Sequence, residues 1–283
     1  MNIFTIHLLL RTLRLSSPIA LIALGETYSE RVGIINVGVE GTAVLGALVS
    51  ALVSFYTGNA WVAVIAAVIG GGLAGALHAL WCIQFRANHV VSGVAVNILV
   101  AGLALFITSA LWKSRGTSAS APTINAWYIA GSALVIVILS QIFIFHTRWG
   151  LRLRVVGEKP EAADTAGINV HRTQYIYTIV NGMLCGLAGA YFFNNLGYFV
   201  NGMVGGRGFI GIAAMVIGNY SPVGALGAAL LFGFADALQM SLQGYIPSQV
   251  SLMLPYLLTV LVLAVLIKRA QVPAALGKHY IKQ

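Results

Sequence analysis

The sequence predicts an all-α polytopic membrane protein with about nine transmembrane helices (roughly eight to ten), some of them broken or half-length. Hydrophobic residues make up 59% of the 283 residues and charged residues only 8%, whereas a soluble domain carries about 25% charged residues. Long apolar runs recur along the chain, and each is near the roughly 20 residues that a helix needs to cross a bilayer. Transmembrane barrels have short alternating segments instead. The composition therefore excludes a barrel, a soluble enzyme and a disulfide scaffold.

The predicted segments follow the apolar runs in order. They are 4–25, 38–57, 60–85, 91–112, 127–146, 175–198, 208–219, 224–243 and 251–268. The first contains Arg11 and Arg14, so either the whole segment is a span or its first half is an amphipathic helix that lies at the interface. The segment 208–219 is too short to cross a bilayer, and we expect a half-helix packed inside the protein. Residues 1–283 are expected to form a single transmembrane domain.

Small residues recur at helical spacing in three of these segments. They are Gly70, Gly71, Gly72 and Gly75, then Gly182, Gly186 and Gly189, and finally Gly224 and Gly227. In lipid, helices gain little from burying apolar side chains against each other, so small residues that allow close backbone approach favour helix pairing. The spacing predicts close helix contacts at these positions.

The distribution of basic residues predicts the orientation. They concentrate in the long connection 147–174 and in the C-terminal tail, at Arg148, Arg152, Arg154, Lys159 and Arg172, and at Lys268, Arg269, Lys278 and Lys282. Both regions should be cytoplasmic because cytoplasmic loops carry excess Lys and Arg. Counting crossings then places 26–37 and 86–90 inside, and 113–126 and Arg207 outside. The net charge of +9 therefore indicates membrane orientation, and no nucleic-acid partner is expected.

The cytoplasmic connection contains a predicted short helix over residues 160–166. Pro160 suits a first helical turn, Glu161 suits the positive end of the helix dipole, and Gly167 supplies a C-terminal stop. Ala162 and Ala163 would present a small, flat face to a partner. A short helix between two membrane spans is suited to docking into another protein.

The run Glu161-Ala162-Ala163, with Gly167 four residues later, resembles the EAA loop of ABC importer permeases. In that family the loop forms a coupling helix that sits in a cleft of the cytosolic ATPase. The resemblance therefore assigns coupling to Pro160, Glu161, Ala162, Ala163 and Gly167.

Further stretches narrow the resemblance. Residues 25–41, GETYSERVGIINVGVEG, are similar to the GE…SERSGVINIGLEG sequence of permeases for nucleosides and related simple sugars. Residues 88–93 match the N-x-V-V-S-G run of that group, its next asparagine matches Asn97, and residues 273–280 resemble its ending. The chain thus resembles, from about residue 15 onward, the simple-sugar and nucleoside class of permeases, which includes the ribose and branched-chain amino acid types, and is most similar to the nucleoside permeases.

The resemblance implies three partners and a bacterial plasma (inner) membrane location. The partners are a cytosolic ATP-binding-cassette ATPase, a second permease subunit that is identical or related, and an extracytoplasmic substrate-binding protein. The sequence itself has no G-x-x-x-x-G-K-S/T phosphate loop, no H-E-x-x-H motif and no paired catalytic carboxylates. We therefore expect no catalytic residue, no metal and no cofactor, and ATP hydrolysis by a separate subunit.

Polar side chains at membrane depth are costly and are therefore candidates for the substrate pathway. The candidates are Asn36, Glu40, Asn97, Asn181 and Asp236. Glu40 begins a helix, so a capping role or a pair with Arg31 is the structural alternative. Asp236 has no partner nearby in the sequence and either borders the route or bonds to a neighbouring helix. His78 is expected to be a packing histidine, since no second metal-binding residue lies at a suitable spacing.

The predicted function is that of the permease subunit of an ATP-driven importer for nucleosides or related simple sugars. ATP binding would move the helix at 160–166, and the spans would alternate access. An ion-gradient-driven secondary transporter is the alternative, and it would need buried charge pairs at mid-membrane, which only Asp236 approaches. A membrane-embedded enzyme is disfavoured by the missing catalytic groups.

Overall fold

The computed structural model describes residues 6–243 and 271–281, together with Met253, Leu257 and Val260. Helices make up most of this part of the chain. They are α1 (Ile6–Glu30), α2 (Val39–Thr57), α3 (Ala60–Ala79, continued by a π-helical turn over Leu80–Gln84), α4 (His89–Trp112), α5 (Ala126–His146), α6 (Arg148–Glu158), α7 (Pro160–Thr165), α8 (Val170–Leu196), α9 (Arg207–Ile217) and α10 (Pro222–Leu242).

Seven of the helices are long and apolar enough to cross a membrane. They are α1, α2, α3 with its π-helical turn, α4, α5, α8 and α10. The predicted half-helix at 208–219 is the 11-residue α9. The remaining predicted segment, 251–268, lies outside the described residues except for three isolated positions. The all-helical membrane class is confirmed, whereas the predicted number of about nine spans is not.

The connections that were predicted to be cytoplasmic lie together at one end of the helix bundle. The backbone N–H of Ala275 in the tail donates to the carbonyl of Gly157 at 2.9 Å, and the N–H of Gly277 donates to the carbonyl of Gly33 at 3.0 Å. The tail therefore joins the connection after α1 to the connection after α5, in agreement with the predicted topology.

The connections that were predicted to be extracytoplasmic meet at the opposite end. The N–H of Ser118 donates to the carbonyl of Phe199 at 3.0 Å, and an isolated antiparallel bridge pairs Thr117 with Val200. The chain between α4 and α5 thus packs on the chain that follows α8, at what we call the outer end.

The first helix belongs to the bundle. Its Arg14 side chain donates to the amide oxygen of Asn195, near the end of α8, while its Glu26 accepts from Asn181 in the middle of α8. Since α1 runs antiparallel to α8, the beginning of α1 lies at the outer end. All residues from Ser16 to Glu30 are buried, so the second half of α1 packs inside the bundle, whereas in the first half only Leu8 and Thr12 are buried.

Glycines bring α2, α3 and α8 into backbone contact. A Cβ atom on Gly71 would lie 2.2 Å from the carbonyl oxygen of Gly182, and a Cβ on Gly46 would lie 2.4 Å from that of Gly186. No real Cβ atom tolerates these distances, so the helices can pack this closely only because glycine has no side chain. The close contacts predicted for α3 and α8 are confirmed.

The predicted contacts in α10 are made only in part. A Cβ on Gly224 would lie 2.1 Å from the carbonyl oxygen of Gly218, in the turn between α9 and α10, whereas a Cβ on Gly227 would meet nothing within 4 Å. Gly227 therefore makes no close contact with the described part of the chain, and the predicted segment 251–268 lies outside the described residues except for three isolated positions.

Candidate functional site

Two of the predicted pathway residues belong to a buried polar cluster in the centre of the bundle. The Asn36 side-chain amide donates to Oδ1 of Asn181 at 3.1 Å, and the Asn181 amide donates to Oε1 of Glu26. All three side chains are buried, and Oε2 of Glu26 has no hydrogen-bond partner in the described part of the chain. Glu26 was not predicted as a site residue because the sequence placed it in the connection 26–37, whereas the structure extends α1 to Glu30 and buries Glu26 within it.

Glu40 holds the beginning of α9. Its Oε1 accepts from the N–H of Gly206 at 2.8 Å and its Oε2 from the N–H of Gly208 at 2.7 Å. Since α2 itself begins at Val39, the N-terminal ends of two helices face one carboxylate, an arrangement that stabilises its negative charge. The suggested pair between Glu40 and Arg31 is wrong, because Arg31 donates instead to a backbone carbonyl near the inner end.

Asn97 fastens the interruption between α1 and α2 to the middle of α4. Its Oδ1 accepts from the N–H of Gly41 at 2.7 Å, and its Nδ2 donates to the carbonyl of Val37 at 3.0 Å. The structure therefore brings Asn36, Glu40, Asn97 and Asn181 to one region, around the chain that links α1 to α2.

Asp236 lies in α10 and pairs with Arg207 at the start of α9. Its Oδ2 is 3.1 Å from Nη2 and 3.3 Å from Nε of Arg207. Among the described residues this is the single ion pair. Arg207, which was expected to lie outside, is the first residue of α9 and lines a space with Asn195 and Leu196 at the outer end of α8. Its guanidinium carbon lies 5.9 Å from the centre of the Phe192 ring.

Two small cavities adjoin α1. One has a volume of about 160 Å³, and the other, beside the Arg207–Asp236 ion pair, has a volume of about 120 Å³. The smaller one is lined by Leu15, Pro18, Tyr191, Phe192, Asn195, Leu196, Met203, Arg207 and Met240. A guanidinium, an amide and aromatic rings together suit a polar ring compound, which they could stack on and hydrogen-bond. Ordinary ligand pockets measure about 300–1,000 Å³, so this space is smaller than an ordinary ligand pocket.

The predicted short helix at the inner end is confirmed as α7. Pro160 occupies its first position, and Gly167 adopts a left-handed conformation with φ of 78° just beyond its end. Glu161 and Ala162 are exposed. Ala163 is fully buried in the core, so the expectation that both alanines face a partner was wrong: only Ala162 is accessible.

The C-terminal tail packs against the region of α7. The N–H of Ala274 donates to Oε2 of Glu158 at 3.3 Å, and the Tyr280 ring lies 5.4 Å from that of His171. Burial and a hydrogen bond to the Asp164 carboxylate raise the pKa of the Tyr280 phenol. Through these contacts the tail, the helix α7 and the connection after α1 form one continuous body. The sequence of the tail resembles the ending of nucleoside and simple-sugar permeases, but the sequence alone indicated no role for the tail.

Arg31 connects this inner end to the turn between α9 and α10. Its side chain donates to the carbonyl of Tyr220, and its guanidinium lies 5.1 Å from the centre of the Phe145 ring. Burial and the positive charge of Arg154 lower the pKa of Arg31, and Glu158 opposes that shift. A charged side chain thus holds α1 to the inner end of α9.

The profile of the family described as the permease component of branched-chain amino acid transport systems matches residues 8–263. The chain belongs to this family. It is therefore a permease of the ABC transport class, and the apolar helices described above agree with a multi-pass protein of the bacterial plasma membrane.

Several members of the family are similar to this permease over most of its length. The guanosine ABC transporter permease protein NupQ of Bacillus subtilis is 37% identical, and the alignment covers 96% of this chain and 95% of NupQ. The nucleoside ABC transporter permease protein NupC of Lactococcus lactis is 33% identical over 94% of each chain. The ribose import permease protein RbsC of Escherichia coli is 26% identical over 83% of this chain and 78% of RbsC.

His78 has a packing role in this permease. Its Nε2 lies 2.9 Å from the carbonyl oxygen of Ile35, and its Nδ1 lies 2.9 Å from the Ser92 hydroxyl. Both ring nitrogens are thus occupied by protein groups. Among the residues that the structure describes, no group of three or more His, Cys, Asp or Glu side chains could hold a metal ion.

Proposed function

We propose that this chain is the permease subunit of an ATP-driven importer for nucleosides. The main evidence is the similarity to two permeases named for guanosine and nucleoside transport, at 37% and 33% identity over nearly the whole chain. The guanidinium, amide and aromatic groups around the small outer cavity support this substrate class, because nucleobases stack on rings and accept or donate hydrogen bonds. Related simple sugars are the second substrate class.

We propose that ATP hydrolysis takes place on a separate cytosolic ATPase. A second copy of this chain, or a related permease, completes the pathway, and a substrate-binding protein delivers the nucleoside from outside. Two observations support this assembly: the sequence lacks a nucleotide phosphate loop, and the short helix α7 exposes Glu161 and Ala162 at the inner end.

The proposed topology has nine crossings within one domain that covers residues 1–283. The N-terminus is outside, α9 and the chain before it form one broken span, and segment 251–268 returns the chain to the cytoplasmic tail. The contacts at the two ends of the bundle support this arrangement, as does the apolar composition of 251–268.

The proposed mechanism transmits movement from α7 to the broken span. Closure of the ATPases shifts α7 and the tail that packs on it. The tail is bonded to Gly33, in the connection that leads to Asn36 and Glu40, and Glu40 holds the start of α9. A displacement at the inner end would thus reach the polar region where α2 and α9 begin, and broken helices of this kind form substrate sites in other transporters.

Asp236 is expected to be needed for transport. In Asp236→Asn the Arg207 guanidinium loses the carboxylate that neutralises it at membrane depth, where unpaired charge is costly. We expect normal amounts of permease in the membrane but about tenfold lower uptake, which corresponds to a free-energy change of about 1.4 kcal/mol. Met240→Leu alters the same cavity without changing charge, and should transport normally. Normal uptake by Asp236→Leu would remove this residue from the proposed pathway.

An ion-gradient-driven transporter is the second candidate, since the Arg207–Asp236 pair is a charge pair of the kind that such transporters use. The two functions differ in their energy source. The test is uptake of labelled guanosine by vesicles that contain the permease, with and without its ATPase and binding protein.

We expect uptake that needs ATP and the ATPase and that survives an ionophore. Uptake without the ATPase that an ionophore abolishes would establish the ion-driven alternative. ATP-driven uptake of ribose that excess guanosine does not inhibit would instead place the permease in the sugar class.

A further inference from the structure

A cavity of about 360 Å³ opens at the inner end, between α6 and the beginning of α8. It lies apart from the outer cavity and from the polar region around Asn36. Its lining residues are Trp149, Arg152, Gly167, Ile168, Asn169, Arg172, Thr173, Ile176 and Tyr177. Its size is within the range of about 300–1,000 Å³ that ligand pockets have.

The floor of this cavity is positively charged. Arg152 comes from α6 and Arg172 from the first turn of α8, and no acidic side chain is among the lining residues. Within the described ranges neither guanidinium has an ion-pair partner. Two arginines that converge on a cavity without a carboxylate attract an anion, and planar guanidinium groups suit the oxygens of a phosphate.

The wall of the cavity is apolar and faces outward. Trp149 is 61% exposed and Ile176 is 47% exposed, and the Arg152 guanidinium lies 4.8 Å from the centre of the Trp149 ring. Trp149 is the second residue of α6, three residues after the end of α5, and Ile176 lies in the second turn of α8, so both lie close to the inner ends of membrane-spanning helices. Exposed tryptophans at such positions lie at the level of the lipid headgroups.

A basic floor beside an apolar wall matches a molecule with an anionic head and an acyl tail. A free phosphate ion would gain nothing from Trp149 and Ile176, whereas an acyl chain would gain contact with both. Basic cavities between helices on the cytoplasmic side are known to hold anionic headgroups.

We propose that this cavity binds the phosphate of an anionic glycerophospholipid, such as phosphatidylglycerol, from the cytoplasmic leaflet. Arg152 and Arg172 donate to the phosphate oxygens, and Trp149 and Ile176 contact the glycerol and the first part of the acyl chains. The bound lipid fills the space beside Gly167, the residue that ends α7. The proposal depends on the cytoplasmic position of this end and on no particular transported substrate.

The test is quenching of tryptophan fluorescence by brominated lipids in the complete transporter. Vesicles contain phosphatidylcholine and phosphatidylglycerol at a fixed ratio, with bromine on one lipid or the other. Since the chain has five tryptophans, the signal of Trp149 is the difference between the wild type and Trp149→Phe. We expect brominated phosphatidylglycerol to quench this signal more strongly than brominated phosphatidylcholine.

Two variants with the same loss of charge separate a site from a general surface effect. Arg152→Gln with Arg172→Gln should lower the apparent affinity for phosphatidylglycerol about 25-fold, because each basic residue near an anionic surface contributes about fivefold. Arg86→Gln with Arg148→Gln removes two exposed charges outside the cavity. In this control variant the preference for phosphatidylglycerol over phosphatidylcholine should be unchanged.

Equal quenching by both lipids, or an unchanged preference in the Arg152 and Arg172 variant, would overturn the proposal. Displacement of phosphatidylglycerol by millimolar inorganic phosphate would identify a soluble anion as the ligand instead. Loss of the ATPase from the purified complex of the Arg152 and Arg172 variant, with the lipid preference intact, would assign the cavity to the ATPase interface.

Discussion

Gly71→Ala is expected to destabilise this permease strongly, although alanine is ordinarily the better residue in a helix. A Cβ at Gly71 would lie 2.2 Å from the carbonyl oxygen of Gly182 and 2.7 Å from the Cα of Gly186. All of these atoms are backbone, so no side chain can rotate away. The helices α3 and α8 would have to separate along their whole contact, and overpacking of this kind costs about 1–3 kcal/mol or more.

The matched control is Gly102→Ala in α4, where an added Cβ would meet nothing within 4 Å. Alanine should be neutral there, or stabilising by about 0.5–1 kcal/mol, because glycine is the poorer helix former. The measurement is the temperature at which half of the detergent-solubilised protein remains monodisperse, together with the amount of permease in the membrane. Equal values for the two variants would mean that α3 and α8 are not in backbone contact.

Glu161→Lys combined with Gly167→Val is expected to abolish transport while the permease still inserts normally. Gly167 has a left-handed conformation with φ of 78°, which costs a residue with a Cβ atom roughly 1–2 kcal/mol. Glu161 is exposed at the start of α7, and a lysine there opposes the helix dipole and reverses the charge offered to the ATPase. Like charges placed together at an interface cost several kcal/mol, so uptake should fall by well over tenfold.

The conservative pair Glu161→Gln with Gly167→Asn provides the control. Asparagine tolerates the left-handed conformation, and glutamine removes the charge without reversing it. The two measurements are substrate uptake and the amount of ATPase that co-purifies, both normalised to permease in the membrane. The coupling role would be ruled out if the combined Glu161→Lys and Gly167→Val variant transported as well as the conservative pair.

The sequence predicted the features that depend on neighbouring residues. The positions of the apolar segments followed from their length and composition, because a bilayer accepts only long apolar helices. The ends of α7 followed from Pro160 and Gly167, whose backbone preferences act locally. The glycine contacts between α3 and α8 followed from spacing along each helix, since lipid leaves close backbone approach as a main source of helix pairing.

The pairing of polar side chains could not be predicted in this way. Glu40 accepts from the N–H of Gly206 across a sequence separation of 166 residues, and Asn36 bonds to Asn181 across 145 residues. Sequence patterns showed that each side chain was polar and at membrane depth. They did not show which of several distant groups would be its hydrogen-bond partner. The path that the chain takes after α8 decides that Arg207 meets Asp236.

The sequence by itself determined that this chain is a helical membrane permease, where its described spans lie, and that a short helix follows Lys159. Those properties arise from the apolar length of each segment, the distribution of Lys and Arg, and local helix signals. Only the tertiary structure decided that Ala163 faces the core, that Glu40 holds the start of α9, and that the tail carrying Tyr280 packs on the region of α7. Each of these depends on which distant segments approach, and the packing of the whole bundle sets that approach.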